Sequence, residues 1–320
     1  MQTTIQQTQF AEDVNTGLSA SHKYLNSKYF YDTHGSIIFQ KIMHMPEYYL
    51  TDCELEIFEK QASGIYEAFR VDHQPFDVVE LGAGDGLKTT ILLMHIFKKN
   101  PKIRYMPIDI SNKAVEMITE KLTHEIPGLE VLGKTGDYFE MMEELSRIDK
   151  TPKVLLFLGS NIGNFNDGKA RSFLGELHAA MNPADKLFIG FDLKKDPRVI
   201  LDAYNDPHGY TASFNLNLLR RINEELGANF EIMKFRHHEV YDPQTGTAKS
   251  YLISLEKQDV RINSLDRVFH FEKWEPVFME MSQKYDFAMI EKFASGSGFT
   301  IEKNFTDSKN YFLNSLWKLK

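Results

Sequence analysis

The chain has 320 residues, of which 42% are hydrophobic and 26% charged, and its formal net charge is −8. This composition is that of an ordinary globular protein, and it excludes a disordered or collagen-like chain. The acidic balance argues against a nucleic-acid partner, because duplexes are bound by a positive face. A single cysteine cannot form an internal disulfide, the N-terminus lacks the layout of a secretory signal, and no apolar run approaches the roughly 20 residues that span a bilayer. We therefore expect a soluble, cytoplasmic protein with no membrane association.

The first fifty or so residues are aromatic and polar, and a helix is predicted after them. Thr51 and Glu54 have the spacing of a capping box, in which each side chain satisfies a backbone amide at the start of a helix. We expect this helix to continue through Phe58 and Ile65.

From about Phe76 to Leu193, short apolar runs alternate with longer helical segments. The apolar runs are 76–81, 103–108, 129–132, 154–158 and 186–191, and the helical segments are 88–97, 113–124 and 169–181. Strands separated by helices of this length predict βαβ crossovers and a parallel sheet with both faces covered. The runs are continuously apolar, as expected for strands buried on both sides.

The pattern changes after Asp192. A helical stretch around 198–226 precedes two alternating runs, 230–235 and 249–255, which predict strands. Two further period-2 runs, 299–305 and 311–319, are joined by the turn residues 306–310. They predict an antiparallel hairpin that closes one edge of the sheet.

A glycine-rich loop follows the first predicted strand, with Gly82, Gly84 and Gly86 before a helix. Such a loop lets a ligand approach the backbone and the free amides of the helix N-terminus. A P-loop requires Gly-Lys-Ser/Thr in sequence, and here Leu87 separates Gly86 from Lys88. The loop is one residue shorter than the dinucleotide fingerprint, and it could also be a plain turn.

Two acidic residues favour a third interpretation, a class I S-adenosylmethionine (SAM) methyltransferase. Asp109 ends the second predicted strand, where a carboxylate can accept hydrogen bonds from ribose hydroxyls, although a nicotinamide dinucleotide would suit it equally. Asp137 ends the third, where it can accept from an adenine amine while Tyr138 lines the base. Together these acids mark the edge at which α/β sheets bind ligands, and they favour a methyltransferase over a dehydrogenase.

The fourth predicted strand leads into another glycine-rich segment, Leu158 to Phe165, which contains Asn164. A neutral amide in this segment could hold an amine or a carboxylate of a substrate. The same pattern is also common where an asparagine caps the next helix.

Four motifs occur together and in order, and with them the sequence resembles the L-histidine Nα-methyltransferases of ergothioneine biosynthesis. The motifs are Tyr-Phe-Tyr-Asp-x-x-Gly-Ser at 29–36, Met-Pro-Glu-Tyr-Tyr at 45–49, Glu-Leu-Gly-x-Gly at 80–84 and Leu-Gly-Ser-x-Ile-Gly-Asn at 158–164. The resemblance extends from about Tyr29 to the C-terminus. The sequence departs from the family pattern at two places. One is the loop Gly-Ala-Gly-Asp-Gly-Leu-Lys. The other is the dipeptide Ser250-Tyr251, at a position where the family often has an acidic residue before an apolar one.

The resemblance implies an α/β fold, the class I SAM-dependent methyltransferase fold: a Rossmann-like parallel sheet with a C-terminal antiparallel hairpin. It adds a second, α+β substrate-binding domain. We expect the substrate domain at 1–56 and 193–282 and the SAM-binding domain at 57–192 and 283–320. The implied cofactor residues are Gly82, Lys88, Asp109, Asp137 and Tyr138, and we expect the loop glycines Gly84 and Gly86 to belong to the same site. The implied substrate residues are Tyr31, Tyr48, Gly159, Asn164, Tyr204, Glu280 and Ser282.

The resemblance also implies a role for each substrate residue. Glu280 and Ser282 would recognise the imidazole ring, which carries one donor and one acceptor when neutral. Asn164 and Tyr204 would hold the carboxylate, and Tyr48 would help to hold the ring. Tyr31 and Asn164, the expected catalytic residues, would lie near the α-amine.

Methyl transfer from a sulfonium requires alignment of an amine lone pair and exclusion of water, so we expect no metal and no covalent nucleophile. Tyr31 is the candidate to orient the amine or relay its proton, and tyrosine rings suit the growing positive charge of a methylated amine. We expect a monomer with L-histidine as substrate and a trimethylated product. The alternatives are another amino acid or small amine, a macromolecular substrate, and a SAM-binding module without turnover.

Overall fold

The structure, a computed structural model, describes residues 2–70, 76–84, 86–109, 112–136, 138–148 and 151–320. In chain order the helices are α1 (Gln2–Ser19), α2 (Thr33–Met43), α3 (Tyr49–Phe69), α4 (Leu87–Lys99), α5 (Asn112–Glu125), α6 (Tyr138–Ile148), α7 (Asp167–Ala180), α8 (Pro197–Tyr204), α9 (Tyr210–Leu226) and α10 (Phe287–Gly296). The strands are β1 (Asp77–Leu81), β2 (Arg104–Asp109), β3 (Glu130–Val131), β4 (Lys134–Thr135), β5 (Lys153–Phe157), β6 (Lys186–Asp192), β7 (Phe235–Asp242), β8 (Thr247–Ser254), β9 (Gln258–Ile262), β10 (Arg267–Phe271), β11 (Pro276–Gln283), β12 (Phe299–Thr306) and β13 (Phe312–Leu319).

The chain forms two compact units. Unit 1 comprises Met1–Tyr49 and Lys195–Ser282, and unit 2 comprises Leu50–Lys194 and Gln283–Lys320. These ranges start unit 2 at Leu50, whereas the predicted SAM-binding domain starts at residue 57. The assignment of substrate binding to one domain and cofactor binding to the other stays a prediction.

Unit 2 contains one sheet with the strand order β12-β13-β6-β5-β1-β2-β3, and β4 also pairs with β2. The strands β1 to β6 pair in parallel, whereas β13 is antiparallel to both β6 and β12. This confirms the predicted fold, a Rossmann-like parallel sheet with an antiparallel C-terminal hairpin at its edge. The chain runs from β1 to its neighbour β2 on one side and later enters β5 on the other side, so a topological switch point lies between β1 and β5.

Burial explains why the central strands of unit 2 carry continuous apolar runs. Every residue of β1, β5 and β6 is buried, because helices cover both faces of a parallel sheet. In α4, Leu92, Leu93 and Ile96 are buried at the spacing of one helix face. The apolar runs therefore place the sheet in the core of the unit and leave its strand ends to carry polar side chains.

Unit 1 is an α+β unit built on two small sheets. Its strands form a three-stranded sheet with the order β11-β8-β7, in which β7 and β8 are antiparallel, and a β9-β10 hairpin. The core of this unit includes Phe10 of α1, Ile38 of α2, Leu218 of α9 and Leu252 of β8. Residues from the first stretch of unit 1, up to Tyr49, and from its second stretch, Lys195–Ser282, therefore share one core. This core holds the two stretches together.

The predicted capping box at Thr51 and Glu54 is wrong. The helix begins earlier, at Tyr49, so that Thr51 lies inside its first turn. Glu54 is completely buried and binds groups far away in the sequence, as described below. The Glu54 carboxylate makes these tertiary contacts instead of the hydrogen bond to a backbone amide at the start of the helix that the spacing predicts.

Two other elements differ from their predictions. The predicted helix at 198–226 is divided into α8 and α9, and Asp206, between them, accepts hydrogen bonds from the amides of Tyr210 and Thr211. The predicted strand at 230–235 contains a 3-10 turn. Phe230 and Phe235 would lie on opposite faces of a strand, whereas the turn puts both rings in the core with their centroids 5.6 Å apart.

Among the helices that the structure describes, none is both long enough and apolar enough to cross a membrane.

Candidate active site

The loop between β1 and α4 has left-handed backbone at its glycines, with φ of 57° at Gly84 and 64° at Gly86. A Cβ atom at Gly86 would lie 1.8 Å from the Ile118 side chain, so α5 packs directly on the loop at this point. Around Gly84, no heavy atom of the described residues beyond its chain neighbours lies within 4 Å of a Cβ position. The backbone at Gly84 is therefore open to a ligand beside the N-terminus of α4.

Glu80 of the Glu-Leu-Gly-x-Gly motif lies buried beneath this loop. Its carboxylate accepts hydrogen bonds from Thr89 Oγ1 at 2.7 Å and from the Tyr105 hydroxyl. Burial raises the pKa of Glu80 to about 7, although the two hydrogen bonds act to lower it. Glu80 thus connects β1 with α4 and β2, the elements on either side of the loop. The motif identified this residue, but its supporting role depends on partners that local sequence does not reveal.

Lys88, a predicted cofactor residue, lies in the first turn of α4, and its Nζ atom donates to Glu54 Oε2 at 2.5 Å. The Glu54 carboxylate also accepts from the Gly159 amide at 3.1 Å and from Asn314 Nδ2 at 2.8 Å. One buried carboxylate therefore links the start of α4, the turn after β5 and the strand β13. Sequence reasoning missed this function of Glu54, because its partners are distant in the chain.

The carboxyl end of β2 carries Asp109, the last residue of the strand, as the sequence predicts. Pairing of β4 with β2 brings Gly136 beside it, and the Gly136 amide donates to the Asp109 carbonyl oxygen at 3.0 Å. Tyr138 begins α6, and its hydroxyl lies 2.8 Å from the position that a Cβ atom would take at Gly82. Asp109 and Tyr138 therefore both lie at the edge of the sheet where the glycine loop is found. Asp137 lies outside the described residues.

The chain turns sharply after β5, with φ of 68° at Gly159 and 59° at Ser160, and continues into the 3-10 turn Asn161–Asn164. Ser160 Oγ accepts a hydrogen bond from the Asp192 amide at 3.0 Å, which attaches this turn to the end of β6. Asn164 is exposed at the end of the turn. Because β1 and β5 are neighbours at the switch point, this turn and the glycine loop flank the same crevice of unit 2.

In unit 1, Tyr31 is held by the motif that contains it. Asp32 caps α2 by accepting from the Gly35 amide at 2.6 Å, and it also accepts from Asn217 Nδ2 of α9 at 2.9 Å. The Tyr31 ring packs edge-on against Phe214, with centroids 5.4 Å apart. The residue still exposes 50% of its surface. The motif therefore fixes the backbone at Tyr31 and leaves the side chain available to a ligand.

Four further predicted substrate residues gather near Tyr31 in unit 1, and we call the five residues the polar cluster. It consists of Tyr31, Tyr48, Tyr204, Glu280 and Ser282. The Tyr204 hydroxyl donates to Ser282 Oγ at 3.0 Å, and the ring centroids of Tyr48 and Tyr204 are 6.4 Å apart. Loss of hydration of the Tyr31 hydroxyl raises its pKa well above the ordinary value, and the negative charge of Glu280 raises it further. Tyr31 is therefore a neutral phenol at physiological pH.

His237 supports the polar cluster from β7. Its Nε2 atom lies 3.0 Å from the Tyr204 carbonyl oxygen, which requires the tautomer that carries a proton on Nε2. Burial lowers the pKa of His237, so the ring is neutral near pH 7. His237 holds the end of α8, where the Tyr204 side chain begins. The sequence contains no signal of this contact, because His237 and Tyr204 lie far apart in the chain.

Comparisons with known proteins place these motifs in a family. The sequence profile of the histidine-specific, SAM-dependent methyltransferases matches residues 10–319. The chain belongs to this family. Histidine N-alpha-methyltransferase of Mycobacterium tuberculosis is 35% identical over 273 residues, which cover 85% of this chain and 83% of that protein. The corresponding protein of Mycolicibacterium smegmatis is 33% identical over the same shares. Ergothioneine biosynthesis protein 1 of Schizosaccharomyces pombe is 29% identical over 85% of this chain and 37% of that protein.

As a member of this family the protein is a SAM-dependent methyltransferase, and the chemistry of unit 2 fits that cofactor. The open backbone at Gly84 can be approached closely by a ligand, and the Asp109 carboxylate can accept from ribose hydroxyls. The Lys88 ammonium suits the carboxylate of the methionine part of SAM. A phosphate-cradling P-loop and a nicotinamide dinucleotide site are therefore set aside.

The structure thus collects the predicted residues in two groups. Gly82, Gly84, Gly86, Lys88, Asp109, Tyr138, Gly159 and Asn164 belong to unit 2, and Tyr31, Tyr48, Tyr204, Glu280 and Ser282 belong to unit 1. The Gly159 amide is already engaged by Glu54, so a substrate contact at Gly159 would have to use another atom. At the departure from the family pattern, Ser250 donates to buried Glu239 at 2.7 Å, and the Tyr251 ring packs against Phe278.

Proposed function

We propose that this protein transfers methyl groups from SAM to the α-amine of L-histidine and yields the trimethylated amino acid. The polar cluster is the observation that carries the proposal, because it combines a carboxylate acceptor, Glu280, with the hydroxyl groups of Ser282 and Tyr204. A neutral imidazole has one N–H donor and one nitrogen acceptor, which a carboxylate and a hydroxyl can satisfy together. The relatives named as histidine methyltransferases support the same substrate.

Recognition of a polar ring also provides selectivity. A phenyl ring in the same place could make no hydrogen bond with Glu280 or Ser282, and sites of this kind reject apolar analogues by roughly 10⁴-fold. We assign the carboxylate of the substrate to Tyr204, and the position beside the ring to Tyr48. The neutral amide of Asn164 can bind a carboxylate or an amine without adding charge.

Tyr31 is proposed to orient the α-amine. When bound, SAM supplies an activated methyl group on a sulfonium. The amine must be unprotonated to react, and the neutral phenol of Tyr31 can accept a hydrogen bond from an N–H while donating its own proton to another acceptor. With its raised pKa, Tyr31 is suited to orienting and relaying rather than to acting as a phenolate base. The rings of Tyr31, Tyr48 and Tyr204 can also attract the positive charge of the methylated product.

The proposal is tested by incubating the full chain with SAM and single amino acids and following the products by mass spectrometry. We expect histidine to gain up to three methyl groups, and we expect phenylalanine and tryptophan to remain unmodified. Methylation of another amine without methylation of histidine would refute the substrate. Binding of S-adenosylhomocysteine without methylation of any amine would instead indicate a binding module without turnover.

A further inference from the structure

The buried carboxylate of Glu54 makes polar contacts that the packing of α3 in unit 2 does not require. Its side chain is completely buried on α3, yet its carboxylate is ionically paired with Lys88, whose Nζ atom lies 2.5 Å away. The same carboxylate receives the Gly159 amide at 3.1 Å and Asn314 Nδ2 at 2.8 Å. On β6, a Cβ atom at Gly190 would lie 2.9 Å from Glu54 Oε1, so a glycine at that position leaves the room that the carboxylate needs.

Lys88 is not enclosed with its partner. Its side chain keeps 20% of its surface exposed, whereas Glu54 exposes none. An ammonium group has three donors, and in the part of the chain that the structure describes Lys88 makes one hydrogen bond, to Glu54. The Lys88 Nζ atom also lies 3.3 Å from a Cβ position at Gly159, which puts the ammonium at the turn after β5. The remaining donors are therefore available at the crevice of the switch point.

We propose that Glu54 is a positioning residue for the cofactor: its buried carboxylate holds the Lys88 ammonium and the Gly159 amide, so that Lys88 can pair with the carboxylate of the methionine part of SAM. This role rests on the SAM dependence of the family. A buried carboxylate has lost its hydration, and few groups other than a paired ammonium can replace it. The Lys88 ammonium is therefore strongly held at the position where it pairs with Glu54. Glu54 thus converts a flexible lysine side chain into a fixed donor, and this reduces the ordering that binding would otherwise require.

The test compares two ligands that differ in the part that Lys88 is proposed to contact. S-adenosylhomocysteine contains the amino-acid carboxylate, and 5′-methylthioadenosine lacks it. In calorimetric titrations of the Glu54→Gln variant of the full chain, we expect the affinity for S-adenosylhomocysteine to fall about tenfold and that for 5′-methylthioadenosine to change by less than about twofold. We expect the same pattern for Lys88→Met. Because both variants break one interaction, the double variant should bind no more weakly than Lys88→Met alone.

The matched control is Glu302→Gln, which removes another lysine-paired carboxylate of unit 2, bound by Lys186 Nζ at 3.1 Å. It should leave both affinities unchanged. If Glu54→Gln does not fold, Glu54→Asp keeps the charge but withdraws it from Lys88, and it should show the same selective loss. Equal losses for both ligands, or an unchanged affinity for S-adenosylhomocysteine, would overturn the proposal. Failure of the unmodified protein to bind S-adenosylhomocysteine would overturn the SAM assignment itself.

Discussion

The Tyr204 hydroxyl donates a hydrogen bond to Ser282 Oγ at 3.0 Å and so joins the end of α8 to the end of β11. His237 holds the backbone of the same tyrosine from β7. The hydroxyl groups of Tyr204 and Ser282 and the neutral His237 ring therefore connect α8, β11 and β7 at the polar cluster. A hydroxyl held in this way is ready to bind a substrate without first being ordered.

This relationship predicts the effect of removing the hydroxyl of Tyr204. In Tyr204→Phe, the KM for histidine should rise about tenfold, since one hydrogen bond to a polar substrate is lost together with the hydrogen bond to Ser282. The affinity for S-adenosylhomocysteine should stay unchanged. Steady-state kinetics with varied histidine, together with calorimetry of the product nucleoside, measure both quantities. A loss of nucleoside affinity equal to the loss for histidine would contradict a role specific to the substrate.

Replacement of Glu280 should change the choice of substrate more than it changes stability. In Glu280→Ala, we expect kcat/KM for histidine to fall about 100-fold or more, while any activity on phenylalanine changes little, since the lost acceptor serves a polar ring. Competition between the two amino acids, analysed by mass spectrometry, gives the ratio directly. Unchanged turnover of histidine would remove the proposed ring recognition. Glu272→Ala, which removes an exposed carboxylate of unit 1, is the control.

Two glycines of the cofactor loop should respond differently to the same added methyl group. In Gly84→Ala, the left-handed backbone should cost about 1 kcal/mol of unfolding free energy, and the methyl group should occupy the open space and weaken S-adenosylhomocysteine binding about tenfold or more. In Gly86→Ala, the collision with Ile118 should add to the strain, and the total cost should be about 3 to 5 kcal/mol. Denaturant unfolding and calorimetry separate the two effects. Similar stability losses in both variants would contradict the packing of α5 on the loop.

Glu80 should make part of the stability depend on pH. Its folded pKa of about 7 lies above the ordinary value of 4.5, so between these values the folded state binds the proton and the unfolded state does not. This contribution to the free energy of unfolding therefore falls by at most about 3 kcal/mol as the pH rises from 4.5 to 7. In Glu80→Gln, the contribution disappears because no group titrates at this position. Urea unfolding of both proteins at pH 5 and pH 8 should show a smaller loss of stability for the variant. Equal pH dependence would contradict the raised pKa.

Asn217 is expected to act on Tyr31 through Asp32. Asn217→Ala removes a hydrogen bond to the capping carboxylate and should cost about 1 to 2 kcal/mol of stability. It should also raise the KM for histidine, because Asp32 fixes the backbone next to Tyr31. Asn223→Ala is a matched control on the same helix, since Asn223 binds the backbone of Phe230 through both ends of its amide. The control should lose similar stability with an unchanged KM. An unchanged KM in Asn217→Ala would show that Tyr31 is positioned without it.

The sequence by itself determined the sheet of unit 2 and its ligand-binding edge. The runs at 76–81, 154–158 and 186–191 become β1, β5 and β6, because strands buried on both faces are mostly apolar. Asp109 ends β2 as predicted. The family motifs identified SAM methylation of histidine as the function, and the family assignment confirms the SAM-dependent enzyme class.

The tertiary structure decided which polar side chains support that edge. Glu54 has the local spacing of a helix cap, but its buried carboxylate binds Lys88, Gly159 and Asn314 instead. These contacts form because an unpaired charge in the core has a high free-energy cost. His237 and Asn217 likewise act through partners on other elements. Hydrophobic periodicity reports burial along one segment, and it carries no information about which distant group will satisfy a buried donor or acceptor.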